Sequence, residues 1–120
     1  MFSTSQLLAW LAVLCLVLLL LLPCFTRLAA RYTKMRKPAC LLKRMHIPLG
    51  ILLLLCSVFH GKLEKRFSLE SIMILVLLAL LILPYPLRRL SPLLWRKVHQ
   101  LASLLLLAAV IWHIALALSS

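Results

Sequence analysis

Residues 43–60 read KRMHIPLGILLLLCSVFH, and residues 96–113 read RKVHQLASLLLLAAVIWH. Aligned, the two stretches share a basic pair (Lys43-Arg44, Arg96-Lys97), a first histidine (His46, His99), two small residues (Gly50 with Ser103, Cys56 with Ala109), an aromatic (Phe59, Trp112) and a second histidine (His60, His113). Leucine-rich helices resemble one another cheaply, so only the polar and small positions carry the comparison. Fourteen positions along an α-helix rise about 21 Å and turn only about 40° short of four full turns. Each histidine pair therefore falls on one face of its helix, with one imidazole expected near each membrane surface. The repeated unit reads as a helical hairpin, present twice, and parallel repeats of this kind build membrane folds.

Outward from these stretches the chain stays apolar. Of its 120 residues, 65% are hydrophobic and 13% charged, a balance that argues for membrane spans and leaves no room for a second soluble domain. Four segments emerge: Leu7–Leu22, Met45–His60, Leu69–Leu83 and Val98–Leu118. Pro23 is expected to close the first. Pro48 is expected in the first turn of the second helix, where a missing amide donor costs little. Gly61 is expected to follow the second segment, and Pro84-Tyr85-Pro86 to end the third. The fold expectation is an all-α, integral membrane four-helix bundle.

The net charge of +12 sits in the connections, so nucleic-acid binding is not expected. The first connection carries Arg27, Arg31, Lys34, Arg36, Lys37, Lys43 and Arg44, the third Arg88, Arg89, Arg96 and Lys97, and neither holds an acid. In the second, Glu64 and Glu70 dilute Lys62, Lys65 and Arg66. Positive connections stay in the cytoplasm, which places both termini outside, His46 and His99 near the inner surface, and His60 and His113 near the outer one. The leader MFSTSQ has no positive charge, so the first segment reads as an uncleaved span of the plasma or cytoplasmic membrane and not as a secretory signal. Trp10, Tyr32, Tyr85, Trp95 and Trp112 fall near the boundaries as an aromatic belt. Cys15 and Cys56 lie in apolar runs as small packing residues, while Cys24 and Cys40 flank a cytoplasmic connection where disulfides are disfavoured.

A histidine inside a membrane is a functional hypothesis by default. A lone one at a boundary is ordinarily an interfacial polar residue; two equally spaced pairs with matching small neighbours are harder to explain so. Imidazoles from facing helices fill both axial positions of a haem iron, and the two helices offer two stacked haem sites. Gly50 and Ser57 beside His46 and His60, and Ala102, Ser103 and Ala109 beside His99 and His113, leave room for a flat macrocycle. Leu53 and Leu106 would pack between the rings. Arg44, Arg96 and Lys97 are candidates for the inner haem's propionates, and Lys62, Lys65 and Arg66 for the outer's, although lipid head groups attract the same charges.

In these residues the chain resembles the ferric reductase-like transmembrane domain shared by ferric reductases and NADPH oxidases. The resemblance rests on the paired spacing, on RMHIPLG…VFH, and on LRRLSPLLWRKVHQLASLLLLAAVIWH, about half the chain. It implies two haem b groups passing electrons across the membrane, with His46 and His99 holding the inner iron and His60 and His113 the outer. The family's usual six spans are reduced here to four. A flavin and nicotinamide module has no Gly-rich phosphate loop to house it in this chain, so flavin is expected only on a partner protein. The expected function is a di-haem cytochrome b conducting electrons between a separate flavoprotein or quinol and an acceptor on the other side, as a redox subunit or homo-oligomer. The basic stretch Arg27–Arg44 would dock an acidic flavoprotein or meet anionic lipid. The alternatives are a quinol-oxidising cytochrome subunit of a dehydrogenase complex and a haem-free structural or metal-transport subunit.

Overall fold

Ser3 starts the first helix with a reciprocal cap. Its hydroxyl accepts from the Gln6 backbone amide at 3.2 Å, and its own amide donates to Gln6 Oε1 at 3.0 Å. Two of the donors that a helix start leaves open are thereby satisfied. In this computed structural model, which describes residues 1–65, 68–83 and 86–119, helix α1 runs Thr4–Arg31. A single 3-10 turn, Thr33–Met35, leads into α2, Arg36–Glu64. Then come α3, Leu69–Ile82, a short α4, Leu87–Leu90, and α5, Pro92–Ser119. Every regular element among the described residues is helical, in line with the all-α expectation.

Internal packing divides the chain into two units, Met1–Glu64 and Lys65–Ser120. In the first, α1 lies along α2; in the second, α3 and α4 pack on α5. At about 1.5 Å per residue, α1, α2 and α5 are each roughly 42–44 Å long, more than a hydrocarbon core of about 30 Å requires. Among the described residues these three helices are long and apolar enough to cross a membrane. Helix α3, of 14 residues, reaches only about 21 Å. The expected third span, Leu69–Leu83, is thus shorter as a helix than a crossing demands.

The surface fits a lipid solvent. Leu7, Trp10, Leu14 and Val17 on α1, and Leu101, Leu104 and Ile111 on α5, are exposed. Apolar surface of this extent is rare on water-soluble monomers. What is buried is small or leucine: Cys15, Leu16, Ala39, Leu53, Cys56, Leu78, Ala102 and Leu106. Small residues let helices approach closely where lipid supplies no hydrophobic drive between them. Cys15 and Cys56 are free thiols and buried, as packing residues should be; Cys24 and Cys40 are exposed.

Several helix boundaries differ from the expectation. Pro23 does not close α1 but lies inside it, and the helix absorbs the loss of one backbone donor. The Pro23 carbonyl, for its part, accepts from Thr26 Oγ1 at 2.9 Å. Pro48 lies deep inside α2, not in its first turn, because the helix begins at Arg36; Pro38 occupies the first turn instead. Gly61 belongs to the last turn of α2 and is buried. That helix ends at Glu64, and the next residue, Lys65, has a φ of 52°, the left-handed geometry of a helix stop that is usually taken by glycine. The basic first connection, Arg27–Arg44, is mostly helix: only residues 32–35 separate α1 from α2. Tyr32 caps α1, its amide donating to the Leu28 carbonyl at 2.8 Å. Arg36 and Lys37 fall in the first turn of α2, which has no acid. There they oppose the helix dipole, so these cations do not serve the helix. Pro92 takes the first position of α5, where its missing donor is no loss, and the Trp95 amide donates to the Ser91 carbonyl at 3.0 Å. Pro84 and Tyr85, assigned above to the end of the third segment and to the belt, lie outside the described residues, as does Arg66.

Candidate histidine sites

Helix α2 carries His46 and His60, and α5 carries His99 and His113. Both helices are continuous across the interval between their histidines, so the spacing read from sequence holds: about 21 Å and nearly one face. The faces are the packed ones. Leu53 and Cys56 are buried between His46 and His60, and Ala102 and Leu106 between His99 and His113. All four histidines are half-buried, and the Nδ1 atoms of His46, His99 and His113 are shielded from solvent.

His60 has the most fully defined surroundings. Its Nδ1 lies 3.1 Å from the Ser5 carbonyl and 2.9 Å from Ser5 Oγ. Ser5 is only 7% exposed, and its hydroxyl donates to Glu64 Oε1. Glu64 stands four residues after His60 on α2, one turn on and over the same face. A carbonyl has no proton to give, so the Nδ1 contact requires Nδ1–H as donor. The Ser5 hydroxyl has one proton; given to Glu64, it leaves Oγ only to accept from the ring. Both contacts place the proton on Nδ1 and, in a neutral ring, the lone pair on Nε2. A histidine that binds a metal through one nitrogen ordinarily donates from the other to a carbonyl or carboxylate, and His60 meets that requirement. Sequence reading missed Ser5 and Glu64. The one available signal was Glu64 at four residues from His60, one of only two acids in the chain.

His99 stacks obliquely on Trp95, with ring centroids 5.1 Å apart and planes at 37°. Its carbonyl accepts from Ser103 Oγ at 2.7 Å, and the Leu53 carbonyl likewise accepts from Ser57 Oγ at 2.8 Å. Both serine hydroxyls are thus engaged with their own helix, four residues back, as apolar surroundings demand. They act at these positions as small side chains, not as hydrogen-bond donors to a ligand. Gly50, one turn after His46, faces open space: a Cβ there would meet no atom within 4 Å. Ala109, one turn before His113, opens onto an apolar groove between α3 and α5 lined by Met73, Val76, Leu105, Ala108 and Trp112, with Glu70 at its edge. Arg44, Lys62, Lys65, Arg96 and Lys97 are exposed.

The candidate residues are therefore gathered as two sets, one on each unit: His46, Gly50, Ser57 and His60 on α2, and His99, Ser103, Ala109 and His113 on α5. Among the described residues, no three His, Cys, Asp or Glu side chains converge as a metal site; axial ligation of a haem asks for two imidazoles and is a different geometry. No family model, curated protein or solved structure matches the chain.

Proposed function

We propose that this chain is a di-haem membrane cytochrome b that conducts electrons between the two faces of a bilayer. The observation that carries the proposal is the doubled histidine spacing on two continuous, apolar helices, each pair on a packed face with small neighbours. The ligand pairs are His46 with His99 and His60 with His113, a pairing drawn from the sequence repeat and open to ligands from one chain or from two copies. Bound haem supplies a one-electron iron couple, and two imidazoles per iron favour electron transfer over oxygen chemistry.

The chain's own residues have defined tasks in this reading. His60, held through Nδ1 by Ser5, presents Nε2. Gly50 leaves space beside His46, and Leu53 and Leu106, each buried in its own unit, occupy matching positions of the repeat midway between the histidines of their helix. Arg44, Arg96 and Lys97 are exposed, offering cations to propionates or to lipid head groups. Electron donor and acceptor are separate molecules, a flavoprotein or quinol on one side. The resemblance to the ferric reductase-like transmembrane domain points the same way.

A quinol-oxidising variant of this reading has one observation in its favour, the α3–α5 groove with Glu70 at its edge and Trp112 beside His113. Apolar clefts with few polar groups are where such ligands bind. The test of the proposal is an optical spectrum and pyridine haemochrome assay on the chain purified from cells supplied with haem precursors. Two low-spin haem b per chain are expected. Protein with no Soret band under those conditions refutes the proposal, and inhibition of haem reduction by quinone analogues selects the quinol variant.

A further inference from the structure

We infer that Ser5 and Glu64 are positioning residues that commit His60 to Nε2 as its ligating atom, so that the first turn of α1 completes a site carried by α2. The inference rests on the haem reading above and deepens it. Its geometry lies within one unit: the Ser5 carbonyl and hydroxyl at 3.1 and 2.9 Å from His60 Nδ1, and the Ser5 hydroxyl donating to Glu64.

The chemistry runs from the acid inward. Glu64 accepts the one hydroxyl proton of Ser5, which turns Oγ into an acceptor toward the ring. The Ser5 carbonyl adds a second acceptor at the same nitrogen. Two acceptors converging on Nδ1 fix the tautomer and also the ring plane, since rotation about the Cβ–Cγ bond would take Nδ1 from both. Outer partners of this sort hold a ligand in orientation and raise its basicity. Ser5 itself is held in place. It is buried in the first turn of α1, two residues after Ser3 and within the Ser3–Gln6 cap that fixes where that turn begins.

The test uses the full chain in lipid nanodiscs, labelled with 15N-histidine and expressed without haem supply, with a His60→Gln variant to assign the His60 signals. In the wild type, the 15N shifts of His60 should report a protonated Nδ1. Ser5→Ala removes the hydroxyl and keeps the carbonyl, so the Nε2–H tautomer should gain population. Glu64→Gln should move the shifts in the same direction by less, and Ser5→Thr should restore them. In parallel, haemin is titrated into each protein. Ser5→Ala should weaken uptake at the His60 site by about 10–100-fold, the usual effect of losing an outer partner, and leave the His46 site unchanged. A wild-type His60 protonated on Nε2, or shifts and haemin affinity indifferent to both Ser5→Ala and Glu64→Gln, overturns the inference. Haem uptake with an indifferent tautomer retains the haem reading and removes the positioning role. A Ser5-dependent tautomer in a chain that takes up no haemin removes the haem reading and with it the ligating role of Nε2, leaving Ser5 only its hold on the tautomer.

Discussion

Gly50 offers a direct way to ask whether the space beside His46 is reserved for a cofactor. Glycine in a helix interior costs about 0.8–1 kcal/mol relative to alanine, because its backbone loses more freedom on folding. Nothing lies within 4 Å of a Cβ built at Gly50, so Gly50→Ala introduces no clash to offset that gain. For a chain of 120 residues, about 1 kcal/mol corresponds to a rise in Tm of roughly 3–6 °C. Gly50→Ala should accordingly raise the melting temperature of the haem-free protein, followed by circular dichroism in detergent. Gly50→Leu fills the same space with a branched side chain while remaining a good helix former. It should fold equally well yet lose the haem at the His46 level, reducing pyridine haemochrome stoichiometry by about half on the two-haem proposal, with His60 and His113 still occupied. Two results would refute the reasoning. A Gly50→Ala protein that melts lower than the parent would mean the position is crowded. A Gly50→Leu protein that keeps both low-spin centres would mean the open space serves nothing but lipid.

His99→Ala should abolish one low-spin centre and leave part of the other, and a redox titration still showing two intact centres would remove His99 from the ligand set. Lys65→Gly should stabilise the end of α2 by about 1 kcal/mol, because glycine adopts a φ of 52° without the Cβ penalty; an unchanged or lower melting temperature would contradict it. Cys40 is exposed and Cys15 and Cys56 are buried, so a membrane-impermeant thiol reagent should label Cys40 from the cytoplasmic side and spare the other two. Labelling from outside would reverse the orientation proposed for both histidine levels.

Apolar runs were easy to read because a bilayer selects for length and hydropathy together, and three of the four segments became helices of crossing length. Helix ends were harder. They depend on where backbone hydrogen bonding stops, and hydropathy says little about that. Pro23 and Pro48 resemble terminators in the sequence, yet each removes a single backbone donor from a helix of 28 or 29 residues, and the neighbouring turns persist. The basic stretch Arg27–Arg44 reads as loop because it is polar, whereas most of it belongs to the end of α1 and the start of α2. The histidine spacing was legible because both members of a pair share one helix. Ser5 was not legible as a partner of His60, since the contact spans 55 positions and depends on how α1 and α2 lie against each other.

The α1–α2 hairpin is fastened at both extremities. At one, the turn at residues 33–35 leaves no slack between the helices; at the other, Ser5 joins both His60 and Glu64. Sliding one helix past the other by a single turn, about 5.4 Å, would strain the tether and break every bond at the clasp simultaneously. The two helices are therefore held in register, and His60 keeps the level of the amino-terminal turn of α1 however the hairpin as a whole tilts or bends.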